Sequence, residues 1–366
     1  MAKEKTIKEE KRDILDDLIS NVYEDSKKLS DYEDGDSEYE VVDFFDTGHI
    51  LLNCQISARW DGGCPDNKIL MMAGLEASGK SYIMKNIIKD ATNRCGYKVL
   101  YFDTEGELRT EDLKNHDIDP KRVLIPKPPK RKGKDGNDLE MWDTINLKNK
   151  WTQTINYLKP DSKIMIILDS LSNLASSKEI NDSLKDDDAG DMGQRNKQLK
   201  AMFRVISAPA STKRVPIVMI SHVYKTIGLF SATEISSGQG AKYNASITPI
   251  FSPTVIKEGD EVVGIRVKSF VKKNRLAKPF TTIEYDIFFD GGLDRYSGLE
   301  SYAIRFGLLS TANGGSKGTC YVLPNDPETK IPIKMLKDNK EEYKNFWENL
   351  LKNGFGDKLN EFFKFK

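Results

Sequence analysis

The sequence predicts an α/β protein built around a mostly parallel, doubly wound sheet. The first observation is the stretch from Gly74 to Ser81, which fits the pattern G-x-x-x-x-G-K-[ST]. The second is its setting, because an apolar run of strand length precedes it and a pattern of helical spacing follows it at 83–91. The third is a set of later apolar runs that end in acidic or polar residues, at 98–105, 163–170 and 215–222. Strands that alternate with helices build parallel sheets.

The stretch from Gly74 to Ser81 has the residues that a phosphate-binding loop needs. Its glycines free the backbone, so that N–H groups can curl around nucleotide phosphates. Lys80 would reach the β- and γ-phosphates, and the Ser81 hydroxyl would hold magnesium. An ordinary glycine-rich turn is the alternative, but the order strand, loop, helix puts a positive helix N-terminus against the phosphates. We therefore predict nucleotide contacts for Gly74, Leu75, Glu76, Ala77, Ser78, Gly79, Lys80, Ser81 and Tyr82.

Three further strand ends carry polar side chains that suit phosphoryl transfer. Asp169 closes one apolar run, from which a single carboxylate can enter the magnesium shell beside Ser81. Glu105 closes another, and we predict that it orients the attacking water, although exposed loop carboxylates are common. His222 closes the third. Since no second ligand stands at metal spacing, the sequence favours a neutral group that senses the γ-phosphate over a zinc ligand.

The bulk composition limits the classes of function. A chain of 366 residues can hold one large domain with appendages, or two domains. Its 56 basic and 56 acidic residues cancel, so any nucleic-acid surface must come from local clustering. The four cysteines lack the spacing of metal ligands, which favours reduced thiols over disulfide or zinc roles. The charged first residues and the lack of a long apolar run predict a cytoplasmic protein with no membrane partner.

Several segments between the strands have compositions that admit more than one interpretation. The basic, Pro- and Gly-rich loop 126–136 is predicted to form neither helix nor strand, and to be either a solvated face or a contact to phosphate backbones. Apolar spacing predicts a helix over 138–159, in which Trp142 and Trp151 serve packing and not base stacking. The glycine-rich stretch 224–245 is too long for an ordinary connection, so it is functional or disordered.

The N-terminal segment and the middle of the chain are polar. A narrow apolar stripe at helical spacing runs through 5–29, and the acidic segment 30–40 reads as a linker. The two interpretations are a frayed terminus and an arm that docks on a neighbouring subunit. Residues 181–193 are polar and acidic, and the helix after them is predicted to end near Pro209.

The last third of the chain shows alternating patterns. Residues 247–256 and 263–272 flank a hairpin turn, and 281–289 alternates like an edge strand. A helical pattern follows at 338–351.

Stretches without catalytic chemistry make the chain resemble the phage recombinases of the RecA family. They are Asp169–Glu179, Met202–Ile206, Ser211–Lys213, Asp290–Asp294 and Tyr296–Leu299. The resemblance runs from about Thr47 to about Leu309 and fades at both ends. It implies a RecA-like P-loop ATPase core at 47–295, an N-terminal helix and linker at 1–46 that packs between protomers, and a small α+β C-terminal domain at 296–366.

The same resemblance implies a recombination function. The expected activity is that of a DNA-dependent ATPase that assembles as a helical filament on single-stranded DNA and exchanges strands with homologous double-stranded DNA. ATP with Mg²⁺ would be hydrolysed at subunit interfaces, and single-strand-binding and loader proteins are further candidate partners, in the host cytoplasm. A RecA-core hexameric helicase, a circadian-type P-loop ATPase and an ATP-binding recombination mediator are the alternatives.

The resemblance also assigns roles to particular residues. Asp103-Thr-Glu105 is similar to the family's D-x-E segment, which makes Glu105 the activator of water, and His222 stands at the position of the γ-phosphate sensor. Lys273 and Arg275 match a basic pair that reaches the neighbour's ATP, and their i, i+2 spacing puts both on one side of a strand. DNA contacts are expected in two loops, at Gly190, Met192, Gly193, Arg195, Lys225, Gly238, Gly240 and Lys242.

Three features depart from the family pattern. The stretch 108–113 does not show which residue contacts adenine. The chain ends in basic and aromatic residues where the family has an acidic tail, and the loop 126–136 has no counterpart.

Overall fold

The computed structural model describes residues 39–132, 138–183, 193–225, 233–236 and 238–365, together with residues 15, 21, 22 and 28. Most of the predicted N-terminal arm therefore lies outside the described residues. Among those residues the strands are β1 Phe44–Phe45, β2 Cys64–Pro65, β3 Ile69–Gly74, β4 Lys98–Asp103, β5 Val123–Leu124, β6 Lys130–Lys132, β7 Asp138–Glu140, β8 Ile164–Asp169, β9 Ile217–Lys225, β10 Thr233–Ile235, β11 Ile247–Glu258, β12 Glu261–Asn274, β13 Thr282–Phe288, β14 Gly292–Leu293, β15 Ser310–Asn313, β16 Thr319–Leu323 and β17 Asp326–Pro332.

Helices cover both faces of the sheet. In the described part of the chain the α-helices are α1 Ile50–Ser57, α2 Lys80–Asn93, α3 Thr110–Asn115, α4 Thr144–Tyr157, α5 Ser177–Ser183, α6 Gln194–Thr212, α7 Gly238–Asn244, α8 Leu299–Arg305, α9 Ile333–Asp338, α10 Lys340–Leu350 and α11 Gly356–Phe363. Short 3₁₀ turns lie at Pro120–Arg122, Leu171–Asn173 and Gly315–Lys317, and a π turn lies at Leu351–Phe355. None of these helices is long and apolar enough to cross a lipid bilayer.

The main sheet has a parallel centre and an antiparallel wing. Its strands follow the order β14-β13-β12-β11-β3-β9-β8-β4-β5, with β10 paired to β9. The strands from β11 to β5 run parallel, whereas β12, β13 and β14 pair antiparallel. One apolar cluster packs α1, α2 and the C-terminal region on one face of the sheet, and a second packs α4 and α6 on the other. The predicted α/β, mostly parallel, doubly wound fold is confirmed.

Strand register decides which residues meet at each edge of this sheet. At the carboxyl edge, Gly74 lies opposite His222, and Asp103 lies opposite Asp169. At the amino edge, Asn274 ends β12 opposite Ile247, the residue that starts β11 near the beginning of β3. The fold therefore gathers the phosphate-binding loop and its carboxylates at one edge, and the end of β12 at the other.

One prediction of local structure is wrong, and the bounds of two predicted helices differ from the expected ones. Part of the basic segment forms a strand, because β6 pairs with β7 in a hairpin. The helix expected over 138–159 begins only at Thr144, where the Asp143 carboxylate caps it by accepting bonds from the N–H groups of Ile145 and Asn146 at 2.7 and 2.8 Å. The helix expected to end near Pro209 runs on to Thr212.

The predicted packing role of the two tryptophans is confirmed. Trp142 and Trp151 are buried, and both rings meet the Phe102 ring edge-on, at 5.2 and 5.7 Å between centroids. They join α4 to β4 in the core, so neither side chain is available to stack on a base.

The last part of the chain forms a small antiparallel sheet, β15-β16-β17, with α8 to α11 around it. Aromatic side chains hold it to the core, and Tyr321, Trp347 and Phe363 are fully or almost fully buried there. The segment before the terminus returns to the main sheet, where Lys364 forms a bridge with Ala277 just beyond β12.

Candidate active site

The phosphate-binding loop lies between β3 and α2, as the sequence predicts. Leu75, Glu76 and Ala77 are exposed at its tip. A Cβ added to Gly74 would lie 2.7 Å from the Phe251 carbonyl oxygen and 2.8 Å from Ser78 Oγ, so only glycine fits there. The loop is thus tightly bounded on the side of the sheet.

Lys80 is held inside this loop. Its Nζ donates hydrogen bonds to the carbonyl oxygens of Leu75 at 2.5 Å and Gly74 at 3.2 Å. Burial lowers the pKa of the Lys80 ammonium, and the charges of Asp169 and Glu105 oppose that shift. A positive group therefore stands at the N-terminus of α2, which already favours anions.

The two residues after Lys80 have different surroundings. Ser81 is exposed and lies in the wall of a cavity of about 260 Å³ that also includes Glu105 and Asp169. The centroids of the Tyr82 and His116 rings lie 5.0 Å apart, so the Tyr82 side chain packs against the residue that follows α3.

Asp169 is a buried carboxylate among other carboxylates. Its Oδ2 accepts a hydrogen bond from the Tyr101 hydroxyl at 2.8 Å. Burial raises the pKa of Asp169 to about 6. The Tyr101 bond opposes this shift, and the charges of Glu105 and Asp103 add to it. The site therefore concentrates negative charge in a place that is partly shielded from water.

Asp103 fixes the turn that carries Glu105. Its carboxylate accepts hydrogen bonds from the backbone N–H groups of Glu105 at 3.0 Å, Gly106 at 2.7 Å and Leu108 at 3.0 Å. Glu105 Oε1 lies 3.4 Å from His222 Nε2 and accepts a bond from Asn173 Nδ2 at 3.2 Å. The predicted water-orienting carboxylate and the predicted sensor are thus in direct contact.

The oxygen donors at this edge suit a hard divalent cation. Ser81 offers a hydroxyl and Asp169 a buried carboxylate, and Mg²⁺ prefers oxygen ligands. In the described ranges no group of three or more His, Cys, Asp or Glu side chains forms a metal site of its own. Mg²⁺ needs none, since it usually takes one or two carboxylates and completes its shell with phosphates and water.

A second, basic cluster lies at the amino edge. Lys273 Nζ donates a hydrogen bond to the Tyr243 carbonyl oxygen at 2.5 Å, at the C-terminal end of α7. Burial lowers the pKa of Lys273 to about 8, and the charge of Arg275 adds to this shift. Arg275 is exposed. Burial lowers the pKa of Lys272, and the nearby charge of Lys242 adds to this shift. We call Lys242, Lys272, Lys273 and Arg275 the basic half-site.

The turn after Lys273 is rigidly held. Asn274 Nδ2 donates to the carbonyl oxygens of Gln55 and Ile56, each at 2.9 Å. Its Oδ1 accepts bonds from the backbone N–H groups of Leu276 and Ala277 at 2.8 and 3.0 Å. Asn274 thereby anchors the strand end between the two predicted cations to α1.

Some residues predicted to bind DNA lie at loop ends or outside the described structure. Gly190, Met192 and the side chain of Lys225 lie outside it. Gly193 is exposed, has a φ of 77° and directly precedes α6, and Gly238 is the first residue of α7. These two glycines mark the points where the two predicted loops return to the core.

For three other residues the structure gives roles that the sequence did not. A Cβ on Gly240 would lie 3.0 Å from the Asn196 carbonyl oxygen, so this buried glycine lets α7 pack on α6. Lys242 belongs to the basic half-site beside Lys272. The Arg195 guanidinium bonds to backbone carbonyl groups within the protein. The predicted DNA contacts of Gly240 and Arg195 stay predictions beside these contacts.

Sequence reasoning missed several residues that shape the site. Tyr101, Asn173 and Ser172 hold Asp169, Glu105 and the backbone of His222, respectively. The signal for Tyr101 was present, because it stands two residues before Asp103 on the same strand and shares its face.

The fold and the site define a P-loop nucleotide-binding protein whose phosphate loop and carboxylates lie at the carboxyl edge of a parallel sheet. The RecA N-terminal domain family matches residues 13–294 of this chain. The chain therefore belongs to the RecA family, as the resembling stretches indicated.

Three relatives describe the range of similarity. The chain is 29% identical over 266 residues to the recombination and repair protein of Enterobacteria phage T4, a match that covers 72% of this chain and 64% of that protein, less than two thirds of its length. It is 27% identical over 266 residues to protein RecA of Malacoplasma penetrans, covering 72% and 74% of the two chains. It is 25% identical over 312 residues to protein RecA of Chloroherpeton thalassium, covering 84% and 81%.

Proposed function

We propose that this protein is an ATP-dependent recombinase. Copies of the chain assemble as a helical filament on single-stranded DNA, and the filament exchanges strands with a homologous duplex. ATP is hydrolysed to ADP and phosphate at the interface between adjacent copies. The observation that carries this proposal is the placement of the carboxylates and the basic half-site at opposite edges of one sheet.

The strand register supports a site shared between two copies. Ile247 starts β11 opposite Leu70, whereas the phosphate-binding loop begins at Gly74, at the other end of β3. At a rise of about 3.3 Å per residue, those four residues alone separate the two levels by roughly 13 Å. Because the basic half-site lies on the far side of that span, it suits the nucleotide of a second copy.

Within one copy, we assign each residue a step in phosphoryl transfer. Lys80 and the backbone of the phosphate-binding loop hold the β- and γ-phosphates. Ser81 and Asp169 would hold Mg²⁺, which would neutralise charge that develops on the phosphate oxygens. Glu105 orients the attacking water, and its contact with His222 at 3.4 Å supports a link between water and sensor.

The neighbouring copy supplies the cations. Lys273 and Arg275 stabilise the negative charge of the transferred phosphoryl group, as preorganised donors do in phosphoryl-transfer sites. Asn274 supports this role, since it anchors the strand end that carries both side chains. Each site then comprises two halves. The acidic half, formed by Glu105 and Asp169 beside the phosphate-binding loop, comes from one copy, and the basic half is the basic half-site of the next copy.

DNA binding follows from the two loops beside the sensor. The loops ending at Gly193 and Gly238 are assigned to single-stranded DNA, with Met192, Gly190 and Lys225 as further contacts. Binding is mainly to backbone phosphate, and it is therefore tolerant of sequence and sensitive to salt.

The proposed chain has three parts: an interprotomer arm at 1–46, a core at 47–295 and a C-terminal domain at 296–366. We place the protein in the cytoplasm. Single-strand-binding and loader proteins are its further proposed partners.

ATP turnover with and without single-stranded DNA tests the proposal. We expect DNA to stimulate turnover, and electron microscopy to show filaments that require both ATP and DNA. Lys80→Ala abolishes both, and Lys278→Ala, which alters a lysine bonded to the C-terminal segment, is the matched control. Closed hexameric rings would establish the helicase alternative, and nucleotide binding without turnover would establish a mediator.

A further inference from the structure

The guanidinium of Arg195 links its own helix to two other backbone segments near the sensor. Arg195 lies in the first turn of α6, directly after the first predicted DNA loop. It donates hydrogen bonds from Nε to the Leu174 carbonyl oxygen at 2.6 Å, and from Nη2 to those of Leu171 at 2.7 Å and Ser172 at 2.9 Å. Its Nη1 reaches the Ser236 carbonyl oxygen at 3.4 Å.

The first of these segments belongs to the nucleotide site. Residues 171–174 directly follow the strand that ends in Asp169. Asn173 in this segment donates a hydrogen bond to Glu105 at 3.2 Å. Ser172 Oγ accepts a bond from the backbone N–H of His222 at 2.7 Å. Any shift of this segment therefore moves the surroundings of both the water-orienting carboxylate and the sensor.

The second segment belongs to the returning end of the second loop. Ser236 follows β10, and its backbone N–H donates to the His222 carbonyl oxygen at 2.9 Å. Its Oγ donates to the same carbonyl at 3.0 Å and lies 2.7 Å from Ser172 Oγ. Ser172 and Ser236 thus bracket the backbone of the sensor on both sides.

Arg195 completes this arrangement from the third segment. Guanidinium has five N–H donors in a rigid fork, and here most of that fork is directed at carbonyl oxygens of the same chain. A side chain committed in this way is poorly placed to contact a DNA phosphate. It is well placed to hold the ends of both loops in a fixed relation to the sensor.

We propose that Arg195, through Ser172 and Ser236, is a positioning residue that transmits the nucleotide state at His222 to the two DNA loops. The inference rests on the proposed function, since it names how that function couples its two ligands. A network with two alternative arrangements, each favoured by a different ligand, is the physical basis of such coupling.

Salt-dependent binding distinguishes this role from a direct DNA contact. Affinity for a labelled oligodeoxythymidine is measured across a salt series, without nucleotide and with ATPγS. For Arg195→Met we expect wild-type affinity without nucleotide and an unchanged salt slope, with loss of the ATPγS-induced tightening, which is about tenfold or more on the usual scale of coupling between sites. If Arg195 contacted a phosphate, the slope would fall by about 0.7 in both nucleotide states while the tightening survived, and that result overturns the inference.

Two further variants control for charge and for folding. Lys197→Met removes the same charge from an exposed position one half-turn along the same helix, and we expect it to keep the tightening. Ser172→Ala removes no charge and leaves the guanidinium in place, and we expect it to lose the tightening as Arg195→Met does. If Arg195→Met does not fold, Ser172→Ala carries the test, and retained tightening in that variant overturns the inference.

The wild-type protein separates this inference from the proposed function. If wild-type affinity for the oligodeoxythymidine is the same with and without ATPγS, the recombinase assignment fails, and with it the coupling. If the wild type tightens and both variants tighten equally, the recombinase assignment stands and only the role of Arg195 is wrong.

Discussion

At the two edges of the main sheet, side chains of opposite charge lie in surroundings that disfavour their charged forms. At the carboxyl edge, burial and nearby carboxylates raise the pKa of Asp169 to about 6. At the amino edge, burial and the charge of Arg275 lower the pKa of Lys273 to about 8. Each shift means that the folded protomer disfavours the charged form of that side chain. Burial is the larger cause at both edges, and like charges add to it, namely Glu105 and Asp103 at the carboxyl edge and Arg275 at the amino edge.

This difference indicates how copies would assemble. The acidic half and the basic half are complementary, yet they lie on opposite sides of one chain, so they can meet only head to tail. Head-to-tail contacts are heterologous, and they produce an open helical filament when the rotation between copies does not close a ring. In the proposed assembly a nucleotide between the halves would give the cations a partner, which would favour their charged forms.

The largest expected effect is the loss of chemistry from the acidic half. Glu105→Gln keeps the shape of the side chain but cannot act as a base, so we expect ATP turnover to fall by about 10²- to 10⁴-fold. Filament formation with ATP and DNA should persist, because Gln retains an acceptor for Asn173. Glu111→Gln, at an exposed position of α3, is the control with unchanged turnover. Turnover that survives in Glu105→Gln would remove Glu105 from the mechanism.

Mixing variants tests whether the halves come from different copies. Glu105→Gln damages only the acidic half, and the double change Lys273→Ala and Arg275→Ala damages only the basic half. Each variant alone should be nearly inactive. In an equal mixture, roughly a quarter of the interfaces would combine two intact halves by random assortment along a heterologous assembly. We therefore expect recovery to about that fraction of wild-type turnover, and a mixture as inactive as its parts would contradict a shared site.

The pKa of Lys273 predicts a dependence on alkaline pH. Because this pKa lies at about 8 in the free protomer, the ammonium is charged well below pH 8 and loses its proton as the pH rises through that value. We expect kcat/KM for ATP to fall above pH 8, approaching tenfold per pH unit, since kcat/KM reports the ionisation of the free protein. Lys273→Arg should flatten this part of the profile, because guanidinium stays charged. An equally steep fall in Lys273→Arg would assign the ionisation to another group.

The acidic half could be predicted from the sequence because its signals are local. The phosphate-binding loop is contiguous from Gly74 to Ser81, and Asp169 and His222 each end an apolar run. Parallel strands place such ends at one edge of a sheet, so their proximity followed from the pattern alone. The contact between Glu105 and His222 is of this kind.

Other features depend on packing that a linear pattern does not contain. Lys242 joins Lys272 only because α7 crosses from one edge of the sheet to the other, where Lys273 caps its end. Arg195 turns inward because two backbone segments, 171–174 and the one at Ser236, present carbonyl oxygens within reach. The strand Lys130–Lys132 forms because it finds a cross-strand partner in β7, whereas composition alone suggested a loop.

The smallest expected effect concerns stability within the acidic half. Asp169 has a folded pKa above its unfolded value of 3.8, so its ionised form costs stability above about pH 6, and that cost disappears as the pH falls toward 4. Asp169→Asn should therefore raise the free energy of unfolding by about 1 to 3 kcal/mol at pH 7.5, with little gain near pH 4. ATP turnover should fall, because a magnesium ligand is lost.

Asp103→Asn is the matched contrast, because it alters a carboxylate of the same cluster that accepts three backbone N–H bonds. Those charge-assisted bonds weaken in the amide, so we expect the free energy of unfolding to decrease by about 1 kcal/mol or more. Urea unfolding of the nucleotide-free protein at both pH values measures the two changes. A decrease in the free energy of unfolding of Asp169→Asn at pH 7.5, as in Asp103→Asn, would mean that ionised Asp169 is not unfavourable in the folded protein. The proposed complementarity between the two edges would then lose its electrostatic basis.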